Sequence, residues 1–299
     1  MILVAGSANL DFVVRASHIP APGETVLGRE FRTFPGGKGA NQAIACARAG
    51  GSITELLLAL GDDAFAAPIE ASLKAAGVRM HVVRASDQPT GTAFICVSDD
   101  GENAITVAPG ANNSLRGSHL PPLDGCTHLL LQLETPIETV TTYARAARSR
   151  GVKVVLNAAP ARALSPELLS LVDVLIVNKG ELATVAEHQG SIEQCVERID
   201  VPCVVVTLGS SGLRARVGRE WIGQDGFAVK AVDTTAAGDT FCGVLVAALG
   251  KRLGMPEALR QANAAGALAC TRLGAQSSIP TYEELQSFLR NHPDTAQDR

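Results

Sequence analysis

The sequence predicts an α/β protein: a doubly wound, mainly parallel sheet with helices on both faces, plus a small β-sheet lid. Three observations lead there. Short, wholly apolar runs recur along the 299 residues, most are separated by segments with helical periodicity, and two turn-rich stretches interrupt that alternation. Strands buried on both faces read as continuous apolar runs, and helices between them supply the crossovers that parallel pairing requires.

The first strand is Ile2 to Ala5. From Asn9 to Phe34 the pattern changes: β-leaning segments Phe12 to Val14 and Thr25 to Phe31 flank the turn-rich Ile19 to Gly23. The glycine-rich Pro35 to Gly39 leads into a helix whose Ala40, Ala43, Ile44 and Ala47 share a face, closed by Gly50 and Gly51. Leu56 to Leu60 is the next strand. Thr92 to Val97 and Ala104 to Val107 then read as a hairpin turning at Asp100 and Gly101. His128 to Leu133, Val152 to Leu156, Val174 to Val177 and Cys203 to Leu208 complete the apolar runs, with a helix at Glu138 to Ser149 carrying Val140, Ala144 and Ala147 on one face. A last apolar helix follows Phe241 and ends at Gly250. The expectation is a single domain, 1–299, with the lid formed by about 9–34 and 90–107 and a frayed tail from Asn291 to Arg299. Such a lid suits a ligand site at the strand ends.

Bulk properties exclude several classes. A net charge of −4 without a basic run argues against nucleic acid, and no apolar stretch is long enough to cross a bilayer. With Ile2 to Ala5 at the start and no basic leader, the expected location is cytoplasmic. Seven scattered cysteines without a CxxC pair indicate neither a disulfide framework nor a zinc site.

Asp233 to Phe241 carries the most chemistry. Small residues let backbone approach a ligand closely, and the amides of Ala236, Ala237, Gly238 and Asp239 are unpaired donors at a helix N-terminus, a ready anion site. Asp239 in the same turn can take a proton from a hydroxyl beside a bound phosphate. Taken alone it also reads as a helix cap. Gly36, Gly37, Lys38, Gly39, Ala40, Asn41 and Gln42 lack P-loop spacing; close backbone approach with Lys38 and Asn41 suits a polyhydroxylated ligand, although a plain glycine turn is the alternative. Asn9, Asp11 and Glu134 follow predicted strands, as do Asn178, Glu181 and the loop from Thr207 to Gly212. None of the six histidines lies in these segments, so no imidazole base is assigned.

From Gly6 to about Ser278 the chain resembles the ribokinase family of carbohydrate kinases. Gly36 to Gln42 is similar to the family's N-terminal signature and Asp233 to Asp239 to its C-terminal one. Shorter matches include Gly6, Ser7, Asn9 and Asp11; Pro22 to Thr25; Gln132 to Pro136; Asn157 with Ala159 to Ala161; and Gly274 to Gln276. The resemblance implies phosphorylation of D-ribose at its 5-hydroxyl by MgATP, with Asp239 as base and Ala236, Ala237 and Gly238 as anion hole. It implies that Asn9, Asp11, Gly37, Lys38, Gly39, Asn41, Glu134 and Asp239 bind the sugar. Asn178, Thr207, Gly209, Ser210, Gly212, Gly238 and Asn263 would contact the nucleotide, and Glu181 would bind Mg2+ through water. Asp233, Thr235, Ala269, Arg272, Gly274 and Ser278 would hold K+, several through carbonyl oxygens. It further implies a homodimer paired through the lid. Departures are Lys179 and Gly180 inside the Asn-x-x-Glu pattern, Ala158 where proline is common, and Asn263 where some members carry histidine. The alternatives are a kinase of this family acting on 2-deoxyribose, another sugar or a nucleoside, and a non-catalytic regulator on the same scaffold.

Overall fold

The computed structural model describes residues 1–293, whose strands form two sheets. In chain order, β1 (Ile2–Ala5), β2 (Asn9–Arg15) and β3 (Glu30–Gly36) lead into α1 (Lys38–Ile44). Next come β4 (Thr54–Gly61), α2 (Ala66–Ala75), β5 (Arg79–Ala85), β6 (Gly91–Val97) and β7 (Asn103–Ala108). The middle of the chain holds β8 (His128–Leu131), α3 (Ile137–Ser149), β9 (Lys153–Asn157), α4 (Pro166–Leu171), β10 (Val174–Asn178), α5 (Lys179–Val185) and α6 (Ile192–Glu197). It ends with β11 (Cys203–Thr207), β12 (Leu213–Val217), β13 (Glu220–Gln224), α7 (Ala237–Gly250), α8 (Met255–Ala269) and α9 (Tyr282–Asn291).

The large sheet has the order β13-β12-β11-β10-β9-β8-β1-β4-β5. Pairing is parallel from β11 to β5 and antiparallel through β12 and β13. Side chains alternate across each strand. Ile2, Val4, Leu56, Leu58 and Val205 pack with α1, α2, α7 and α8 on one face, while Leu3, Ala5, Leu57, Val154 and Val206 pack with α3 to α6 on the other. The winding reverses between β1 and β8, and a crevice outside the strands' carboxyl ends forms at such a switch point. Asn9 and Asp11 enter it from β2, Glu134 from beyond β8.

The small sheet has the order β3-β2-β6-β7. Phe12 at its centre stacks on Phe94 at 5.4 Å and Phe31 at 6.0 Å, and meets Phe65 edge-on at 5.3 Å. The small sheet is built from the two interrupting stretches, with one shift in strand position. Residues 25–29 are not strand; β3 starts at Glu30 and runs to Gly36, because Asn9 pairs with Gly36 and Arg15 with Glu30.

Three strands escape a search for apolar runs. The edge strand β5 is interrupted by Arg79, His81 and Arg84, and β12 and β13 form an antiparallel edge hairpin in which Arg214 and Arg216 alternate with Leu213 and Ala215. Helix α1 passes after Ile44 into a π-helical turn, Ala45–Ala49, ending at Gly50. Helix α4 starts with Ser165 capping the Leu168 amide and Pro166 in the first turn; α9 starts with a reciprocal Thr281–Glu284 box. Asn291 closes α9, so the predicted fraying does not begin there; 294–299 lie outside the described residues. Among the described residues no helix is long and apolar enough to cross a membrane.

Candidate active site

The glycine-rich loop seats directly on the β1–β2 connection. Gly37 has φ +88°, and a Cβ there would come within 2.7 Å of the Ala8 Cα and 2.8 Å of the Asn9 nitrogen. At Gly39 a Cβ would lie 2.6 Å from the Gly6 carbonyl carbon. Only glycine permits this approach, which sets Lys38 and Asn41 beside the polar residues that follow β1.

Beside the glycine-rich loop, Glu134 Oε2 accepts from the Ser7 hydroxyl at 2.5 Å and the Lys38 amide at 3.2 Å, and Ser7 Oγ accepts from the Gly39 amide at 3.3 Å. Asn9 Oδ1 accepts from Asn112 Nδ2 at 2.8 Å, while Asn112 also accepts from the Ala8 amide at 2.9 Å. Asn9 therefore turns its own amide nitrogen elsewhere. Burial pushes the Asp11 carboxyl up to about 7, aided by the nearby Glu134 and Asp239 carboxylates. Lys38 is crowded by opposite charge. Burial, the largest single influence, disfavours its ammonium form, but Asp239, Glu134 and Glu181 together raise its pKa.

At the start of α7, Ala236 adopts a left-handed conformation, φ 59° and ψ 9°. The amides of Ala236, Gly238 and Asp239 donate to no protein acceptor among the described residues. The Ala237 amide differs from the sequence expectation: it turns back to the Thr234 carbonyl at 3.3 Å, because the left-handed residue closes a tight turn there. The free donors are thus three, and they point where a helix N-terminus favours negative charge. Asp239 lies buried in the same turn. Its Oδ2 accepts from Asn41 Nδ2 at 3.0 Å, a contact spanning 198 residues of sequence, and its Oδ1 accepts from Gln42 Nε2 at 2.9 Å.

A cavity of about 160 Å3 opens here, lined by Lys38, Asn157, Glu181, Ala236, Gly238, Asp239 and Cys242 among others. It shares Asn178 and Thr207 with a second cavity of about 540 Å3, lined by Lys179, Gly180, Ile192, Leu208, Gly209 and Ser211. Asn178 and Glu181 also make a capping box: Asn178 Oδ1 accepts from the Glu181 amide at 2.8 Å and Glu181 Oε2 from the Asn178 amide at 2.7 Å. Glu181 Oε1 stays uncommitted, and burial pushes this carboxyl above its ordinary range. That fits a carboxylate reaching a hydrated cation through water. Gly212, at φ +86°, packs its Cα against the Gln224 carbonyl. Ser210 and Asn263 line neither cavity; Asn263 Nδ2 donates to the Asp225 carbonyl at 2.9 Å.

The segments expected to hold a monovalent cation meet beside α7. Asp233 Oδ1 accepts from the Thr235 amide at 2.9 Å and hydroxyl at 2.6 Å, and its Oδ2 from the Gly274 amide at 2.9 Å. Burial opposes the Asp233 charge, but these bonds and nearby Arg15 hold its pKa below the usual value. Ala269 ends α8 just before Cys270, whose carbonyl receives the Val232 and Asp233 amides, and Ser278 is buried in the same connection. The Arg272 guanidinium pairs with Glu284 at 2.7 Å, leaving its carbonyl as the available donor. One carboxylate among backbone carbonyls is a hard-oxygen set suited to a hard cation.

The sequence pointed to Asp239, to the turn before it and to the polar residues around the glycine-rich loop, and these lie together in the structure. It gave no role to Ser7, Gln42, Asn112 or Asn157. Ser7, Gln42 and Asn157 stand inside recognisable motifs, whereas Asn112 has no local signal, because its function is set by a contact 103 residues away.

A carboxylate beside free amides, facing a polar crevice and continuous with a nucleotide-sized cavity, suits phosphoryl transfer to a hydroxyl, and the class is a small-molecule kinase on an α/β scaffold. Residues 1–282 match the pfkB family of carbohydrate kinases, and the chain belongs to that family. It is 39% identical over 303 residues to a ribokinase of Haemophilus influenzae, covering 97% of this chain and 98% of that one. A Bacillus subtilis ribokinase is 36% identical, with 96% and 99% covered. The fold superposes on Arabidopsis thaliana ribokinase complexed with ribose and ATP with a TM-score of 0.88 at 32% identity, covering 97% and 98% of the two chains.

Proposed function

We propose that this enzyme transfers the γ-phosphoryl group of ATP to the 5-hydroxyl of D-ribose, giving ribose 5-phosphate and ADP. The observation that carries this reading is Asp239: a buried carboxylate one turn from three free amides, joined through Asn41 to the sugar-facing crevice. Likeness over the whole chain to ribokinases, one of them complexed with ribose and ATP, supports ribose as the acceptor.

In the reaction, Asn9, Asp11, Gly37, Gly39, Asn41 and Glu134 hold the sugar so that its 5-hydroxyl faces Asp239. Asp239 accepts the hydroxyl proton as the oxygen forms its bond to the γ-phosphorus and the bond to the ADP oxygen breaks. The amides of Ala236, Gly238 and Asp239 receive charge on the transferring group, and the Lys38 ammonium adds a positive charge beside them. Adenosine occupies the larger cavity along Asn178, Thr207 and Gly209; Ser210, Gly212 and Asn263 lie outside its lining and would reach the nucleotide only from beyond it. Glu181 would hold Mg2+ through water, and the ion would supply charge neutralisation at the phosphate oxygens. Asp233, Thr235, Ala269, Arg272, Gly274 and Ser278 would hold K+ beside the anion turn, where its charge would steady the Asp233–Gly238 loop. Two chains pair through the lid. The use of ATP supports a cytoplasmic location.

The test is ADP release with ribose, 2-deoxyribose, hexoses and nucleosides, each with and without K+. Ribose is expected to be the best acceptor, with K+ raising turnover. A nucleoside or 2-deoxyribose turned over faster than ribose contradicts the acceptor.

A further inference from the structure

Asp239 receives one amide hydrogen on each oxygen, but its two donors are not equivalent. Asn41 keeps spare capacity: its Oδ1 is buried without a protein partner. Gln42 keeps none. A primary amide has two N–H donors and one acceptor oxygen. Gln42 Nε2 donates to Asp239 Oδ1 at 2.9 Å and to Asn157 Oδ1 at 3.0 Å, and its Oε1 accepts from Gln132 Nε2 at 2.7 Å. Gln42 and Gln132 are both wholly buried.

The chain of bonds runs in one direction only. With Gln42 rotated by half a turn, its oxygen would face the Asp239 and Asn157 oxygens and its nitrogen the Gln132 nitrogen. Gln132 Oε1 packs against Gly6, where an added Cβ would come within 1.8 Å, and has no hydrogen-bond partner, so the direction of the Gln132 amide is set by its bond to Gln42. Asn157 is tied in turn to the Ile176 carbonyl at 3.3 Å. Four elements therefore brace one carboxylate: the residue after β8, α1, the end of β9 and the start of α7.

We propose that Gln42, hydrogen-bonded to Gln132, is a positioning residue for the kinase step: it fixes the plane of the Asp239 carboxylate. The inference rests on Asp239 being the base. Asp11 from β2, Glu181 from α5, Cys242 from α7 and Lys38 from α1 surround the same carboxylate, with Glu134 beyond Asp11 and Lys38. Among those neighbours Lys38 is the sole cation. The two amide donors hold one carboxylate oxygen each.

Because every polar atom of Gln42 is committed to protein, its loss is expected in turnover and not in binding. Gln42→Met should lower kcat roughly 10- to 100-fold while KM for ribose and ATP changes less than about 3-fold. The acid limb of the kcat profile should move up by about one pH unit, since a hydrogen bond to the charged form is gone. Gln132→Met should shift both quantities in the same direction by less, and the double variant should be no worse than Gln42→Met alone. Unchanged kcat and acid limb, a defect confined to KM, or multiplicative effects in the double variant would overturn the proposal. If Gln42→Met melts below the assay temperature, Gln132→Met decides by the same two readouts. An active Asp239→Asn would instead overturn the assignment of the base, whereas an inactive Asp239→Asn beside normal Gln42 and Gln132 variants rejects the relay alone.

Discussion

Asp11 shows how a binding site stores electrostatic strain in single residues. Its pKa in the folded protein is raised to about 7 from 3.8, with burial first among the causes. Between those values the folded protein binds a proton that the unfolded chain has lost, so stability falls as pH rises through that window and the loss is complete above about 7. Asp11→Asn should therefore stabilise the sugar-free enzyme at pH 8, on the order of 2 kcal/mol, and leave it nearly unchanged at pH 4. Urea melts at the two pH values check this, and equal shifts at both would contradict it. On the proposed sugar site the same variant should also raise KM for ribose, since it removes one carboxylate acceptor. At this scale the sequence was most informative where function is local. Asp239 and the small residues before it sit in one turn and could be read together. Asn112 and the Gln132–Gln42 pair act through contacts between distant segments, which no local pattern encodes.

Among elements, the glycine loop before α1 and the caps of the helices separate catalysis from stability. Gly37→Ala places a side chain at a left-handed position and against the Ala8 and Asn9 backbone, so it should cost more than about 1 kcal/mol and also weaken sugar binding. Thr281→Ala removes the cap of α9, away from both cavities, and should cost about 1 kcal/mol without changing kcat or KM. Thermal melts alongside initial rates distinguish the two. The buried parallel strands were legible because burial on both faces writes an apolar run. The edge strands β5, β12 and β13 were not, because an edge exposes one side and admits Arg79, His81, Arg214 and Arg216. The start of β3 was misplaced because its register is set by pairing with β2, not by its own β propensity.

For the whole molecule, reversal of winding between β1 and β8 explains why residues from the first and last thirds of the chain meet at Asp239. The lid adds a second requirement. Phe31, Phe94, Ile105 and Val107 remain exposed on the small sheet, more apolar area than a solitary lid favours. If two lids pair, sedimentation should give about twice the 31.0 kDa mass, and Phe94→Asp with Ile105→Asp should yield a monomer with a raised KM for ribose. A monomeric wild type would contradict the pairing and leave the chemistry untouched. That chemistry rests on one carboxylate. The most direct measurement is the turnover of Asp239→Asn with ribose, MgATP and K+, together with ATP affinity by calorimetry. The predicted result is a folded variant that binds ATP normally with kcat lowered roughly 10²- to 10⁴-fold; near-normal turnover would contradict Asp239 as the base.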